Sequence, residues 1–258
     1  MYSVVIPSLG RLDYLNELLE SIDKQTLEPK EVLVLLDDND HCQNISKQIK
    51  RSPVLRILFC SGMNLAEKRN HGATIAQADI LVFSDDDDIW MPNRGASVVS
   101  ALDVFSACCH NYGKFGAVTG AELSRLGTKD LKIGIADLMR GANVFGGGST
   151  IAVRRSVVLV LPFSTQLRYC EDFEWWIRIL LASVKVGYLG DSLVLYRTHA
   201  TNMTGSAWRI VYFNFIIVWK LINQAILTSL VSGAVFIRSF FRIFTLGIEK
   251  IRFLYKKS

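Results

Sequence analysis

Ile80-Leu81-Val82-Phe83-Ser84-Asp85-Asp86-Asp87-Asp88-Ile89-Trp90-Met91-Pro92 decides how this chain reads. Four apolar residues, enough for a short buried strand, run straight into four consecutive carboxylates. Carboxylates in a row repel one another, and the apolar strand behind them offers no compensation. A hard divalent cation held through oxygen ligands relieves that repulsion. If the cation also bridges a diphosphate, only one or two protein carboxylates need touch it. The plainer alternative is a solvated acidic loop or helix cap.

Upstream of this stretch two periodicities alternate. Tyr2–Ile6 is an apolar run closed by Pro7, Ser8 and Gly10, and Leu15, Leu18, Leu19 and Ile22 then recur at helical spacing. Glu31–Leu36 is a second apolar run, ending in Asp37 and Asp38. A polar helical stretch, a strand over Val54–Phe59 and a helix over Leu65–Gln77 lead back to Ile80. Ala66, Ala73 and Ala76 in that helix are small enough for close packing. Such alternation predicts a mostly parallel central sheet flanked by helices, an α/β fold. Open sheets of this type bind ligands beyond the carboxyl ends of their strands, and both acidic clusters fall at strand ends.

Downstream, strands are expected over 116–120 and 149–154, with a flexible turn at Gly146–Gly148 between them. A helix is expected over 171–184, and two late strands over 186–189 and 193–196. The adjacent Cys108 and Cys109 read as helix packing. The five cysteines are odd in number and lack zinc or redox spacing. Met1 leads directly into a strand-like run, as in a chain without a signal peptide, and the expected compartment is the reducing cytoplasm.

Half of the 258 residues are apolar, which excludes general disorder. The net charge of +5 is unevenly placed. From Ala207 onward there are eight Lys or Arg and one acid, leaving 21 bases and 23 acids before it. A basic body would suggest nucleic acid, and this body is slightly acidic, so no nucleic-acid partner is expected. A basic, apolar tail points to an anionic membrane surface.

Other residues suit chemistry beside the acid run. Asp37 at a strand end can accept from a pyrimidine N3–H, with a helix cap as the alternative. Lys68 and Arg69 can meet a diphosphate; an ordinary surface role suits Lys68 better than Arg69. Glu171 and Asp172 open a helix, where the macrodipole keeps a carboxylate ionised, as a general base requires; capping is the simpler role. His199, in Tyr196-Arg197-Thr198-His199, is a structural histidine or a ligand to a metal diphosphate.

The order of these motifs resembles the family 2 glycosyltransferases of GT-A fold, inverting enzymes of the bacterial cell-surface polysaccharide type. It runs from Val4-Val5-Ile6-Pro7-Ser8 through Leu36-Asp37-Asp38, Arg69-Asn70 and the acid run closed by Trp90-Met91-Pro92, then to Glu171-Asp172 and Tyr196-Arg197-x-His199. The resemblance covers roughly residues 1–205, taken as the catalytic domain, with residues 206–258 as a tail. It implies a nucleotide-sugar site formed by Pro7, Ser8, Asp37, Asp38, Arg69, Asp85 and Asp86. It also implies Mn²⁺ or Mg²⁺ held by Asp87, Asp88 and His199, and Asp172 as catalytic base with Glu171 beside it. The implied reaction moves a sugar from a UDP- or dTDP-sugar to a glycan or lipid-linked acceptor. Two departures stand out. Leu9-Gly10 replaces the aromatic-Asn pair of many relatives, and no Gln-x-x-Arg-Trp follows the base, unlike processive synthases.

In the tail, 210–219 and 221–237 are uncharged runs separated by Lys220. Arg238, Arg242, Thr245, Glu249, Arg252 and Lys256 then recur at spacings of four and three, one polar stripe on an apolar helix. Such a helix suits a membrane interface, giving peripheral attachment at the cytoplasmic face of the inner membrane. The alternatives are a helix docked on the catalytic domain or a partner. For the whole chain they are a non-catalytic binding module and a sugar nucleotidyltransferase. The latter usually carries a longer Gly-rich phosphate loop than Ser8-Leu9-Gly10-Arg11.

Overall fold

The computed structural model describes residues 1–50, 52–117, 120–122, 131–134, 137, 145–199, 212, 213, 215–217 and 219. Its first half follows the strand–helix alternation closely. The strands are β1 (Ser3–Ser8), β2 (Glu31–Asp37), β3 (Leu55–Cys60) and β4 (Ile80–Phe83). They alternate with helices α1 (Leu12–Asp23), α2 (Asp40–Ser46) and α3 (Leu65–Ile75). The four strands pair in parallel in the order β3-β2-β1-β4.

Their side chains explain why both faces need cover. Val5, Leu33, Leu35, Leu81 and Phe83 enter one apolar cluster, while Val4, Ile6, Val32, Val34, Leu36 and Val82 enter the other. Alternate residues of one strand point to opposite faces, so continuous apolar runs mark strands buried twice. Leu15, Leu18, Leu19 and Ile22 of α1 are buried on the second face. On the first, α3 comes so close to β1 that a Cβ on Gly72 would collide with the Val5 side chain.

Beyond β4 the sheet is mixed, which corrects the expectation of a mostly parallel sheet. β5 (Ile89–Trp90) and α4 (Arg94–Ala101) lead to β6 (Ala107–Gly116), followed by β7 (Gly120–Glu122) and β8 (Leu131–Ile133). A 3-10 turn (Gly148–Thr150), β9 (Ala152–Arg154), α5 (Arg155–Val160), α6 (Glu171–Leu181) and β10 (Val186–Thr198) complete the order. β9 enters antiparallel between β4 and β6, and β10 runs parallel to β6 with β5 antiparallel on its far side.

Three further expectations change. Cys108 and Cys109 lie in β6, not a helix, and enter opposite apolar clusters. The strand expected over 116–120 is the end of β6 and the start of β7. The two late strands are one, β10, whose pairing with β6 shifts register between Leu189 and Val194.

Of the tail expected over 206–258, only Tyr212, Phe213, 215–217 and Trp219 are described, and they are helical. Ile217 is buried in the first cluster, Phe213 and Ile216 pack against it, and Phe213 meets the Tyr169 ring at 5.1 Å. The polar stripe lies outside the described residues. Among the described residues, no helix is long and apolar enough to cross a membrane.

Candidate active site

Both acidic clusters open on the sheet edge formed by the carboxyl ends of β1, β2 and β4. In the parallel register Ser8 stands beside Leu36, so the end of β1 adjoins Asp37. Lys68 reaches both. Its Nζ lies 2.5 Å from Asp37 Oδ1 and donates to the Ser8 carbonyl at 2.8 Å. An Asn64–Glu67 capping box starts α3 and fixes this helix in place. Lys68 is only 2% exposed, which corrects the surface role expected for it. Asp38 turns outward to accept from Ser61 Oγ at 2.7 Å and Gln43 Nε2 at 3.2 Å. The Ser61 bond, then the Gln43 bond, hold its carboxyl below the usual range.

The four aspartates after β4 differ in their partners, with Arg11 shared by two of them. Asp85 Oδ1 pairs with Arg69 Nη2 at 3.0 Å, and its amide donates to Ser149 Oγ at 2.7 Å. Burial pushes its carboxyl up to about 6 against the pull of Arg69, with Asp87, Asp172 and Asp86 adding like charge. Asp86 accepts from Ser8 Oγ at 2.5 Å, from the Leu9 amide at 3.3 Å and from Arg11. Asp87 Oδ2 takes Arg11 Nη1 at 2.8 Å and His199 Nε2 at 2.9 Å. Asp88 is fully buried; Oδ1 accepts from the Arg197 amide at 2.9 Å, while Oδ2 has no hydrogen-bond partner. Burial first, then Asp85 and Asp87, push this carboxyl far up.

A buried arginine braces the run from below. Arg94 Nη2 donates to the Phe83 carbonyl at 2.9 Å and the Ser149 carbonyl at 2.5 Å, and Nε to His110 Nε2 at 3.1 Å. Its guanidinium lies 3.8 Å from the centre of the Trp90 ring. Burial brings Arg94 down to about 9 and His110 to about 3, so the imidazole is a neutral acceptor.

The first turn of α6 faces the same edge. Arg69 is 1% exposed and joins the two regions, with Nη1 2.6 Å from Glu171 Oε1 and Nη2 on Asp85. Burial raises Glu171 to about 7, with Arg69 lowering it and Asp172 raising it. Asp172 is half-buried and accepts from the Phe173 amide at 2.7 Å. The residue before the helix, Cys170, has φ 59°. A non-glycine residue there carries strain, and this bend sets the direction of the Glu171–Asp172 pair. Across from it, a Cβ on Gly148 would run into the Arg69 guanidinium and approach Asp85 Oδ1 to 3.0 Å.

The structure thus gathers Ser8, Asp86, Asp87 and His199 in one cluster, with Pro7 buried in β1 behind Ser8. Asp85, Arg69 and Glu171 form a second, with Asp172 near enough to shift its neighbours. Asp37 is tied to the first through Lys68 and Ser8, and Asp38 joins none. The sequence assigned no site role to Arg11, Arg94, Gly148 or Arg197, and it did not foresee the partners of Lys68. The signal for Arg11 was its place three residues after Ser8, on the loop that Asp86 grips. Among the described residues no three His, Cys, Asp or Glu side chains converge as a metal cage. The oxygen and nitrogen of Asp87 and His199 nevertheless suit Mn²⁺ or Mg²⁺, and Asp88 Oδ2 is a buried acceptor left over beside them.

Known proteins are similar to this chain. An uncharacterized glycosyltransferase of Haemophilus influenzae is 29% identical over 191 residues, 70% of this chain and 62% of that protein. The Escherichia coli UDP-Glc:alpha-D-GlcNAc-diphosphoundecaprenol beta-1,3-glucosyltransferase WfgD is 24% identical over 73% of this chain and 75% of its own. The crystal structure of S. aureus TarS 1-349 in complex with UDP-GlcNAc superposes with a TM-score of 0.68 at 17% identity, covering 86% of this chain and 66% of that one. This chain spans less than two thirds of the Haemophilus protein and of the TarS chain. The family model for Glycosyl transferase family 2 matches residues 3–160, well over half the chain, including β1 to β4 and the acid run. The protein is therefore a member of glycosyl transferase family 2, built on the GT-A fold.

Proposed function

We propose that this protein transfers a sugar from a UDP- or dTDP-sugar to a hydroxyl of a lipid-linked glycan, with inversion, in the synthesis of a cell-surface polysaccharide. One observation carries the reading: Arg69 ties Asp85 of the acid run to Glu171 of α6, so the donor edge and the candidate base stand side by side. The relatives support the substrate classes, since WfgD is named for a diphosphoundecaprenol-linked acceptor and TarS binds UDP-GlcNAc.

In this scheme Asp37, held by Lys68, accepts from the pyrimidine, and the ends of β1 and β4 take the rest of the donor. Asp87 and His199, with Asp88 behind them, would hold Mn²⁺ or Mg²⁺. A divalent cation there supplies Lewis-acid neutralisation of the departing diphosphate. Asp172, less buried than Glu171, removes the acceptor proton as the hydroxyl attacks the anomeric carbon from the face opposite the diphosphate. Glu171 is engaged by Arg69 and positions it. One base and one displacement invert the centre. The tail would hold the enzyme peripherally at the cytoplasmic face of the inner membrane, its basic residues among anionic headgroups.

The test uses UDP-glucose and a GlcNAc-diphosphoundecaprenol acceptor. Asp172→Asn is expected to lower kcat by roughly 10²–10⁴-fold with UDP affinity unchanged, and NMR of the wild-type product to show an inverted anomeric centre. A retained configuration, or an Asp172→Asn enzyme as fast as wild type, would contradict the scheme.

A further inference from the structure

Arg11 belongs to none of the roles above, yet it occupies the most contested point of the site. Its Nη2 pairs with Asp86 Oδ1, its Nη1 lies 2.8 Å from Asp87 Oδ2, and the same Nη1 is 3.1 Å from His199 Nε2. Asp86 and Asp87 are 3% and 6% exposed, so neither is neutralised by bulk water. The arginine caps the N-terminus of α1, and its side chain is 35% exposed, so part of it already meets solvent. Tyr14 of α1 borders the group, with the Arg11 guanidinium carbon 5.8 Å and that of Arg197 4.4 Å from its ring centre.

A divalent cation held by Asp87 and His199 needs the oxygen that Arg11 now engages. Two cations cannot share that point without strong repulsion at such distances. A metal arriving alone must therefore break the Arg11 pairs. A metal arriving with a diphosphate brings negative charge that both cations can face. We propose that Arg11 is a tethered cation that holds Asp86 and Asp87 until the donor arrives, and so makes metal binding depend on bound nucleotide. By linkage the metal then strengthens nucleotide binding by the same factor. This rests on the metal reading of Asp87 and His199 given above.

The test is Mn²⁺ binding to the full chain, followed by the electron paramagnetic resonance of free Mn²⁺, with and without UDP, for wild type and Arg11→Gln. Charge-assisted pairs of this kind differ enough from neutral ones that Arg11→Gln should bind Mn²⁺ alone about tenfold more tightly than wild type. The tightening of Mn²⁺ binding by UDP should shrink in the variant. Arg11→Lys, which keeps the charge but not the two-pronged grip, should fall between them. If removing Arg11 destabilises the metal-free chain, Mn²⁺ should raise the variant's Tm by more than it raises that of wild type. Equal or weaker Mn²⁺ binding by Arg11→Gln would overturn the inference and leave the metal reading standing. Absence of Mn²⁺ binding in both proteins, even with UDP, would overturn both.

Discussion

β2 and β4 flank β1 on either side and both end in aspartates, yet the two ends handle their charge in different ways. At the end of β2, Asp37 meets one buried lysine and Asp38 is left to water, Ser61 and Gln43. At the end of β4 the carboxylates are largely out of water, and Arg69, Arg11, His199 and the Arg197 amide are aimed at them, Arg11 at two. Buried charge is tolerated only where partners are close. The β4 end has therefore drawn arginines from α3 and the β1 loop and an amide from β10, and through Arg69 it is wired to α6. The β2 end is a simple contact point, and the β4 end is an electrostatic assembly whose parts depend on one another.

The sharpest way to break this contrast is to remove its connector. Arg69→Ala leaves Glu171 and Asp85 without their cation, and breaking a buried pair this way costs about 3–5 kcal/mol. Urea unfolding should show that loss, and a change below about 1 kcal/mol would mean that the two regions are independent. At the β2 end, Asp37→Asn keeps the shape and removes one charge-assisted bond, worth about 1.5–3 kcal/mol. UDP binding by calorimetry should weaken about tenfold or more, and unchanged affinity would remove Asp37 from the donor site.

Proton linkage sharpens the contrast at the α6 side. Burial lifts Glu171 from 4.5 to about 7 in the folded chain. The folded state thus keeps a proton that the unfolded chain has lost between those values. The stability this confers is complete below 4.5 and disappears as pH rises through about 7. The Tm of the ligand-free protein should therefore fall from pH 5 to 8 more steeply in wild type than in Glu171→Gln. Parallel profiles would contradict this. The smallest effect belongs to exposed Asp38, where Asp38→Asn should leave the Tm and the UDP affinity close to those of wild type.

The sequence made one half of this molecule far more legible than the other. Strands buried on both faces leave uninterrupted apolar runs, so β1 to β4 and the acids that close them could be read directly. β6 was missed because His110 and Asn111 interrupt its apolar run, and they are tolerated in the core because Arg94 and local backbone satisfy them. Nothing local to residues 107–116 announces a partner in α4. The same limit applies to the site. The order of the acids and of His199 could be followed along the chain, while the partner that each acid meets could not. Lys68 reads as a surface residue until the fold places it against Asp37, 31 positions earlier. Gly148 reads as flexibility, and it proves to be the space that Arg69 occupies.

The most direct test of the account is calorimetric titration of the full chain with UDP in Mn²⁺ and in EDTA, repeated on Asp87→Ala. The account predicts binding that is tight with Mn²⁺, weak in EDTA and lost in the variant. UDP binding that ignores both EDTA and Asp87→Ala would contradict it, and would mean that the acid run at the end of β4 is a structural ion-pair network rather than the donor site.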